Sequence, residues 1–235
     1  MRHPDLVPED ACVINGRTIL IDSSSMDWSG STVYVVDDDD AVRRSMTRLL
    51  RAAGCKAETF ASAEELLARA PISEPGCILL DVQMPGMSGI ELFERLSEAG
   101  VALPVVFLTA RGTIPMSVRA MKEGAVDFLV KPVTEDVLFQ ALEQAITRYR
   151  SETSSRHARE SILARIERLS VREREVLERV LQGRLNKQIA YELDISEKTV
   201  KAHRGRVMEK MEVATVAELV HLCDVVGIGV QENAD

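Results

Sequence analysis

From residue 32 onward the chain alternates between short apolar runs and segments whose apolar positions recur every three or four residues. Residues 32–36 form the first run, and a helical face of Val42, Met46, Leu49 and Leu50 follows until Gly54. A short strand is predicted over 57–60. Ser62, with Glu65 three residues on, reads as a capping box for a second helix, and Gly76 leads into the apolar run 77–80. The alternation continues with a helix over 90–96, a strand over 105–108, a helix over 114–122 stopped by Gly124, a strand over 126–130 and a last helix capped by Thr134. Strands apolar on both faces, each followed by a helix, imply an α/β domain with a five-stranded parallel, doubly wound sheet.

Beyond residue 150 no strand pattern follows. Residues 151–164, opening Ser151-Glu152-Thr153-Ser154-Ser155, read as a polar linker or as a continuation of the preceding helix. Ser170 then caps a helix with Val176, Leu177, Val180 and Leu181 on one face, closing at Gly183. Asn186 is expected to cap a short helix bearing Ile189, Ala190 and Leu193, Ser196 a third helix reaching Met211, and a fourth runs over 216–225. The prediction is a first domain over 32–150 and a small all-α domain of four helices over 165–228, with a tail over 229–235. Residues 1–31 hold Pro4, Pro8, Gly16, Gly30 and three consecutive serines without a sustained period, and are expected to form a poorly ordered tail. Met26, just before the first strand, is a candidate natural start.

Composition limits the function more than the fold. Of 235 residues 46% are hydrophobic, enough for real cores, and a formal charge of -8 excludes a protein that coats nucleic acid or anionic membrane over its whole surface. Any nucleic-acid contact must be local. Cys12, Cys55, Cys77 and Cys223 form no C-x-x-C pair and are too sparse for a disulfide framework or a zinc site. No apolar stretch approaches the roughly 18 residues of a membrane span, and the start lacks a basic-then-apolar signal. A cytoplasmic protein with no membrane partner is expected.

In parallel sheets of this kind, ligands sit beyond the carboxyl ends of the strands. The sequence places Asp37 and Asp38 after the first strand, Asp81 after the third, Thr109 after the fourth and Lys131 after the fifth. Alone, the run Asp37 to Asp40 reads equally well as solvated surface. With the other strand ends it reads as a site. Three crowded carboxylates repel unless a cation sits among them, and a hard cation with oxygen ligands matches magnesium better than zinc. Asp38 and Asp81 are the expected direct ligands, Asp37 acts through water, and Gln83 offers its backbone carbonyl. A carboxylate beside magnesium, an ammonium and a hydroxyl suits acceptance of a phosphoryl group, with Asp81 as nucleophile and Thr109 and Lys131 assisting. The bond between Lys131 and Pro132 is a candidate for the cis form, although trans is the commoner state. Phe128 reads as a core aromatic.

These residues form a recognisable set. VVDDD at 35–39, LLDVQMPGMSG at 79–89, LTARG at 108–112 and VDFLVKP at 126–132 together resemble a response-regulator receiver domain, over 32–150. The resemblance implies the flavodoxin-like, CheY-like fold, phosphorylation of Asp81 by a sensor histidine kinase, a shift of Thr109 toward the phosphoryl group and an inward swing of Phe128. It also implies rearrangement of the fourth helix and fifth strand, and pairing of that face with a second receiver as a homodimer. Thr113 is a departure, since FixJ-like sequences often carry an acidic residue there.

The third helix of the second domain carries Lys198, Lys201, Arg204, Arg206 and Lys210 against Glu197 and Glu209, a local charge of +3 in a negative chain. Its apolar side, Val200, Val207 and Met211, would dock on the preceding helices and leave the basic side outward, as a helix entering the DNA major groove requires. LSVREREVL at 169–177, GRLNKQIAYELDIS at 183–196 and KTVKAHRGRVMEKM at 198–211 resemble a LuxR-type helix-turn-helix. Both resemblances together place the chain in the NarL/FixJ class of response regulators. The family pattern puts Lys201, Ala202 and Gly205 at base edges and Thr199, Arg204 and Arg206 at phosphates, with Lys198 and Val200 in the same stretch. Gly205 departs from a helix former at a stability cost of about 1 kcal/mol.

The expected function is a phosphorylation-switched regulator of transcription, not an enzyme, acting on double-stranded promoter DNA with RNA polymerase as a further candidate partner. Two other readings explain part of the chain. An aspartate-nucleophile phosphatase of haloacid-dehalogenase type accounts for the pocket but not the basic helix, and usually carries its nucleophile after the first strand. A regulator that binds DNA without phosphorylation leaves the pocket without a task.

Overall fold

In the computed structural model, residues 11–14, 17–20, 28, 30–69, 72 and 75–228 are described, and the chain divides into two units, 1–150 and 151–235. The first unit is built on β3 (Thr32–Val36), β4 (Lys56–Phe60), β5 (Gly76–Leu80), β6 (Val105–Thr109) and β7 (Asp127–Val130). These strands pair in parallel in the order β4-β3-β5-β6-β7. Every residue of β3, β5 and β6 is buried, so the period of two divides the apolar side chains between two faces. Tyr34, Val36, Ile78, Leu80 and Phe107 pack with α2 (Ala63–Ala68), α3 (Gly89–Glu98) and α4 (Ile114–Lys122). Val33, Val35, Leu79, Val106 and Leu108 turn the other way, against Leu50 of α1 (Asp40–Ala52) and Leu138, Phe139 and Leu142 of α5 (Glu135–Glu167). The expected doubly wound sheet is present.

The stretch 1–31, expected to be an irregular tail, departs from that expectation in two places. β1 (Ala11–Ile14) and β2 (Arg17–Leu20) pair antiparallel, with Ala11 opposite Leu20. The overlooked signal is the dipeptide Asn15-Gly16 between two short runs, a strong hairpin signature. Trp28 is the second departure: it is 7% exposed and its ring lies 6.0 Å from that of Phe139, within the cluster under α1 and α5. Nearby, Ser31 Oγ accepts a hydrogen bond from Arg150 at 3.3 Å. The first core therefore begins before residue 32. Replacing Trp28 by alanine is expected to cost about 3–5 kcal/mol, as for other buried aromatics. Urea unfolding followed by circular dichroism should show this as an earlier first transition; an unchanged midpoint would show that the ring adds nothing to the core.

The second unit contains α6 (Val171–Leu181), α7 (Asn186–Leu193), α8 (Glu197–Met211) and α9 (Val216–Val225). Val176, Leu177, Ile189, Val200, Val207, Met211 and Leu219 form its core. Ser170 caps α6 as expected, its Oγ accepting from the Glu173 N–H while Glu173 Oε2 accepts from the Ser170 N–H. Asn186 does not cap α7. It is the first helical residue, Leu185 holds the cap position, and Gln188 Oε1 accepts from the Leu185 N–H at 2.7 Å. The Asn186 side chain, one residue too far along to cap, instead accepts from Arg204 at 2.8 Å.

Of the two readings given for residues 151–164, linker or helical continuation, the second holds: α5 continues to Glu167. Within the second unit Ile162 is buried in the core, Arg159 donates to the carbonyls of Val225 and Val226, and Arg165 donates to the carbonyl of Met211. These arginines meet carbonyls at the ends of α8 and α9, which lack helical partners.

Candidate functional site

Of the strand-end groups named from the sequence in the first unit, Asp37, Asp38, Asp81 and Lys131 converge. β3 and β5 are neighbours at the point where strand order reverses, so Asp37 and Asp81, one residue beyond each strand, face the same crevice. Carboxylate oxygens of Asp37, Asp38 and Asp81 all lie within 4.8 Å of one another. Lys131, following β7, places Nζ 2.6 Å from Asp37 Oδ2 and 4.0 Å from Asp81 Oδ2. The Lys131–Pro132 bond is cis. Thr109, the last residue of β6, is fully buried and its Oγ1 accepts from the Arg111 N–H at 3.3 Å.

The acidic run divides into two halves. Asp39 caps α1, its Oδ1 accepting from the Ala41 N–H, and Asp40 in the first helical turn pairs with Arg43 and Arg44. Asp37 is buried and Asp38 exposed, which leaves Asp38 open toward solvent and Asp37 bound to Lys131. Arg43, not anticipated from the sequence, donates to the backbone carbonyls of Asp37 and Asp38 and so fixes the loop that carries them. Its only sequence signal is its place one turn into α1. Gly89 holds the other side of the crevice: a Cβ there would lie 2.1 Å from the Asp81 carbonyl oxygen, so the turn after Asp81 closes only on glycine.

Electrostatically the crevice is short of positive charge. Three carboxylates share one ammonium, and Asp81 Oδ1 is buried with no hydrogen-bond partner among the described residues. Burial first, then the charge of Asp37, push the Asp81 carboxyl above its ordinary value, while Lys131 and the backbone N–H groups of Gln83 and Val82 oppose them. An acceptor-only set with an orphaned oxygen fits a hard divalent cation. Phe128 is only partly buried, its ring 5.8 Å from Phe107. A Cβ at Gly112 would stand 2.8 Å from Phe128 Cε1, so that glycine makes room for the ring.

In the second unit α8 presents Lys198, Lys201, Ala202, Gly205 and Arg206 to solvent. Thr199 and Arg204 are half-buried, with Thr199 Oγ1 2.8 Å from Ser196 Oγ and Arg204 held by Asn186. Val200 is 0% exposed and belongs to the docking side, which removes it from the expected contacting set. Lys210 also turns inward, its Nζ 2.6 Å from Glu173 Oε2.

Residues 33–143 match the family model of the response regulator receiver domain, and residues 167–223 match that of bacterial regulatory proteins of the luxR family. The chain is 42% identical to the response regulator protein TmoT of Ectopseudomonas mendocina over 194 residues, 83% of this chain and 88% of that one. It is 40% identical to the transcriptional regulatory protein FixJ of Rhizobium meliloti over 198 residues, 84% of this chain and 97% of that one. Among solved structures it is similar to the response regulator StyR, with a TM-score of 0.78 and 45% identity over 83% of this chain and 99% of the other. Full-length FixJ from B. japonicum gives a TM-score of 0.53 with 40% identity, covering 84% of this chain and 98% of the other.

Proposed function

Since the chain belongs to the response-regulator family, with a receiver domain joined to a LuxR-type DNA-binding domain, we propose that Asp81 accepts a phosphoryl group and thereby switches α8 onto promoter DNA. The observation that carries this reading is Asp81 itself: 8% exposed, one carboxylate oxygen unpartnered, with Lys131 and two further carboxylates beside it. The donor is the phosphohistidine of a sensor kinase. An Asp81 oxygen attacks phosphorus, the new P–O bond forms as the P–N bond breaks, and the imidazole leaves. Asp38, Asp81 and the Gln83 carbonyl would hold magnesium directly, with Asp37 acting through water. When bound, the ion neutralises charge on the phosphoryl oxygens. Lys131 would do the same through its ammonium, and Asp37 keeps that ammonium aimed.

Thr109 and Phe128 form the switch. The Thr109 hydroxyl, at the end of β6, is the group able to follow the new phosphoryl oxygens, and its shift gives the Phe128 ring space to move inward. The face that responds carries Ile114 at 80% exposure with Val118, Met121, Val130 and Val137, all exposed, on α4, β7 and α5. An apolar surface of this kind suits pairing with a second receiver. Two helix-turn-helix units brought together in this way bind paired half-sites, and the second contact is strengthened by effective concentration. Lys201, Ala202 and Gly205 meet base edges, while Lys198, Thr199, Arg204 and Arg206 hold phosphates. The charge balance of the chain fits a local contact of this type, and among the described residues no helix is long and apolar enough to cross a membrane.

Incubation with acetyl phosphate and magnesium should place one acyl phosphate on each chain, detectable by phosphate-affinity electrophoresis. Lys131→Met is expected to slow incorporation about 100-fold, the scale for losing one fixed charge-stabilising group. EDTA should reduce the wild type to background. Incorporation indifferent to both treatments would contradict the assignment.

A further inference from the structure

Gly205 has no assigned task within the protein. It lies in regular α8, its φ is not positive, and a Cβ built on it meets nothing within 4 Å. Neither backbone geometry nor internal packing therefore requires glycine, although glycine in a helix interior is destabilising relative to alanine. Its position is informative. Val200, Val207 and Met211 turn into the core, and on the opposite side Ala202 and Gly205, three residues apart, form an exposed strip. Lys198, Lys201 and Arg206, all exposed, border it. The strip is a shallow notch without a side-chain donor or acceptor of its own, with those cations on its border and the exposed Glu209 one turn beyond Gly205.

A surface that meets base edges through alanine and glycine side chains has no side-chain hydrogen bond to offer. In the major groove the one distinctly apolar group is the C5-methyl of thymine; the other features that distinguish base pairs are hydrogen-bonding atoms. We propose that the Ala202 and Gly205 notch seats a thymine C5-methyl, making Gly205 a specificity determinant for an A·T pair in each half-site. The inference rests on the DNA-binding reading and adds to it the chemical group that is read. An alanine at 205 would fill the notch and push that base pair away.

Binding-site selection from randomised duplexes, using full-length protein with acetyl phosphate and magnesium, supplies the test duplex. Each thymine is then replaced singly by uracil, which removes only the methyl group. Wild type should lose about tenfold in affinity at one thymine per half-site, within the range for a single altered base pair. Gly205→Ala should melt higher than wild type, bind the thymine duplex more weakly by a similar factor, and prefer the uracil duplex. If selection enriches no duplex, the DNA-binding reading fails and the notch with it. If duplexes are enriched but no thymine is methyl-sensitive, or both proteins share one thymine-to-uracil preference, the notch alone is overturned.

Discussion

Asp81→Asn is expected to abolish phosphoryl incorporation from acetyl phosphate, leaving only background signal, while the protein remains folded. The amide is close to the carboxylate in size but cannot attack phosphorus, so the chemical step is lost outright rather than slowed. Folding should not suffer. Burial and the neighbouring Asp37 hold the Asp81 carboxyl above its ordinary value, which means that its ionised form is disfavoured where it sits. Neutralising it removes repulsion from a cluster of three carboxylates, and the melting temperature should stay level or rise. Electrophoresis of phosphorylated protein and a thermal melt read the two effects separately. Full labelling of the variant would place the nucleophile elsewhere.

In the second unit the largest effect on stability is expected at Glu173. It is 3% exposed, and its Oε2 accepts from the Ser170 N–H at 2.8 Å and from Lys210 Nζ at 2.6 Å. One carboxylate thus closes the cap of α6 and ties it to α8. Glu173→Ala removes a cap and strands a half-buried ammonium, whose remaining partner is the Arg168 carbonyl; the loss should be about 3 kcal/mol. Lys210 first, then the Ser170 N–H, hold the carboxyl down at about 2 against an ordinary 4.5. A lowered folded-state value means that the stabilisation is complete above about 4.5 and is lost as pH falls toward 2. An acid titration of helicity should therefore show a steeper loss for wild type than for Glu173→Gln over that window. Parallel curves would mean that the contact contributes nothing.

Lys210 also shows where sequence reading stops. On charge alone it belonged with Lys198 and Lys201, but it adjoins Met211 and lies three residues from Val207, at the border of the buried side of α8. Its partner is 37 residues away and leaves no local mark. Periodicity was informative where burial is regular, as in β3, β5 and β6, whose every residue is inside. The acidic crevice was legible for a related reason: a parallel sheet aligns its strand ends, so Asp37, Asp81, Thr109 and Lys131 could be placed together from strand assignments alone. Trp28 was not legible, because a single buried aromatic ahead of the first strand carries no period. The stretch before Glu167 stayed open between linker and helix, since Ile162 sits among polar residues and the core it joins is formed by later helices. Arg43 acts through its side chain on two backbone carbonyls, a contact that no spacing rule foretells.

In the proposed function, chemistry at Asp81 controls contact at α8. One measurement addresses it directly: affinity of full-length protein for a selected duplex, titrated with and without acetyl phosphate in the presence of magnesium, for wild type and Asp81→Asn side by side. The phosphodonor should tighten binding by wild type and leave the variant unchanged at the weaker, unphosphorylated level. Equal affinity for both proteins under both conditions would contradict it.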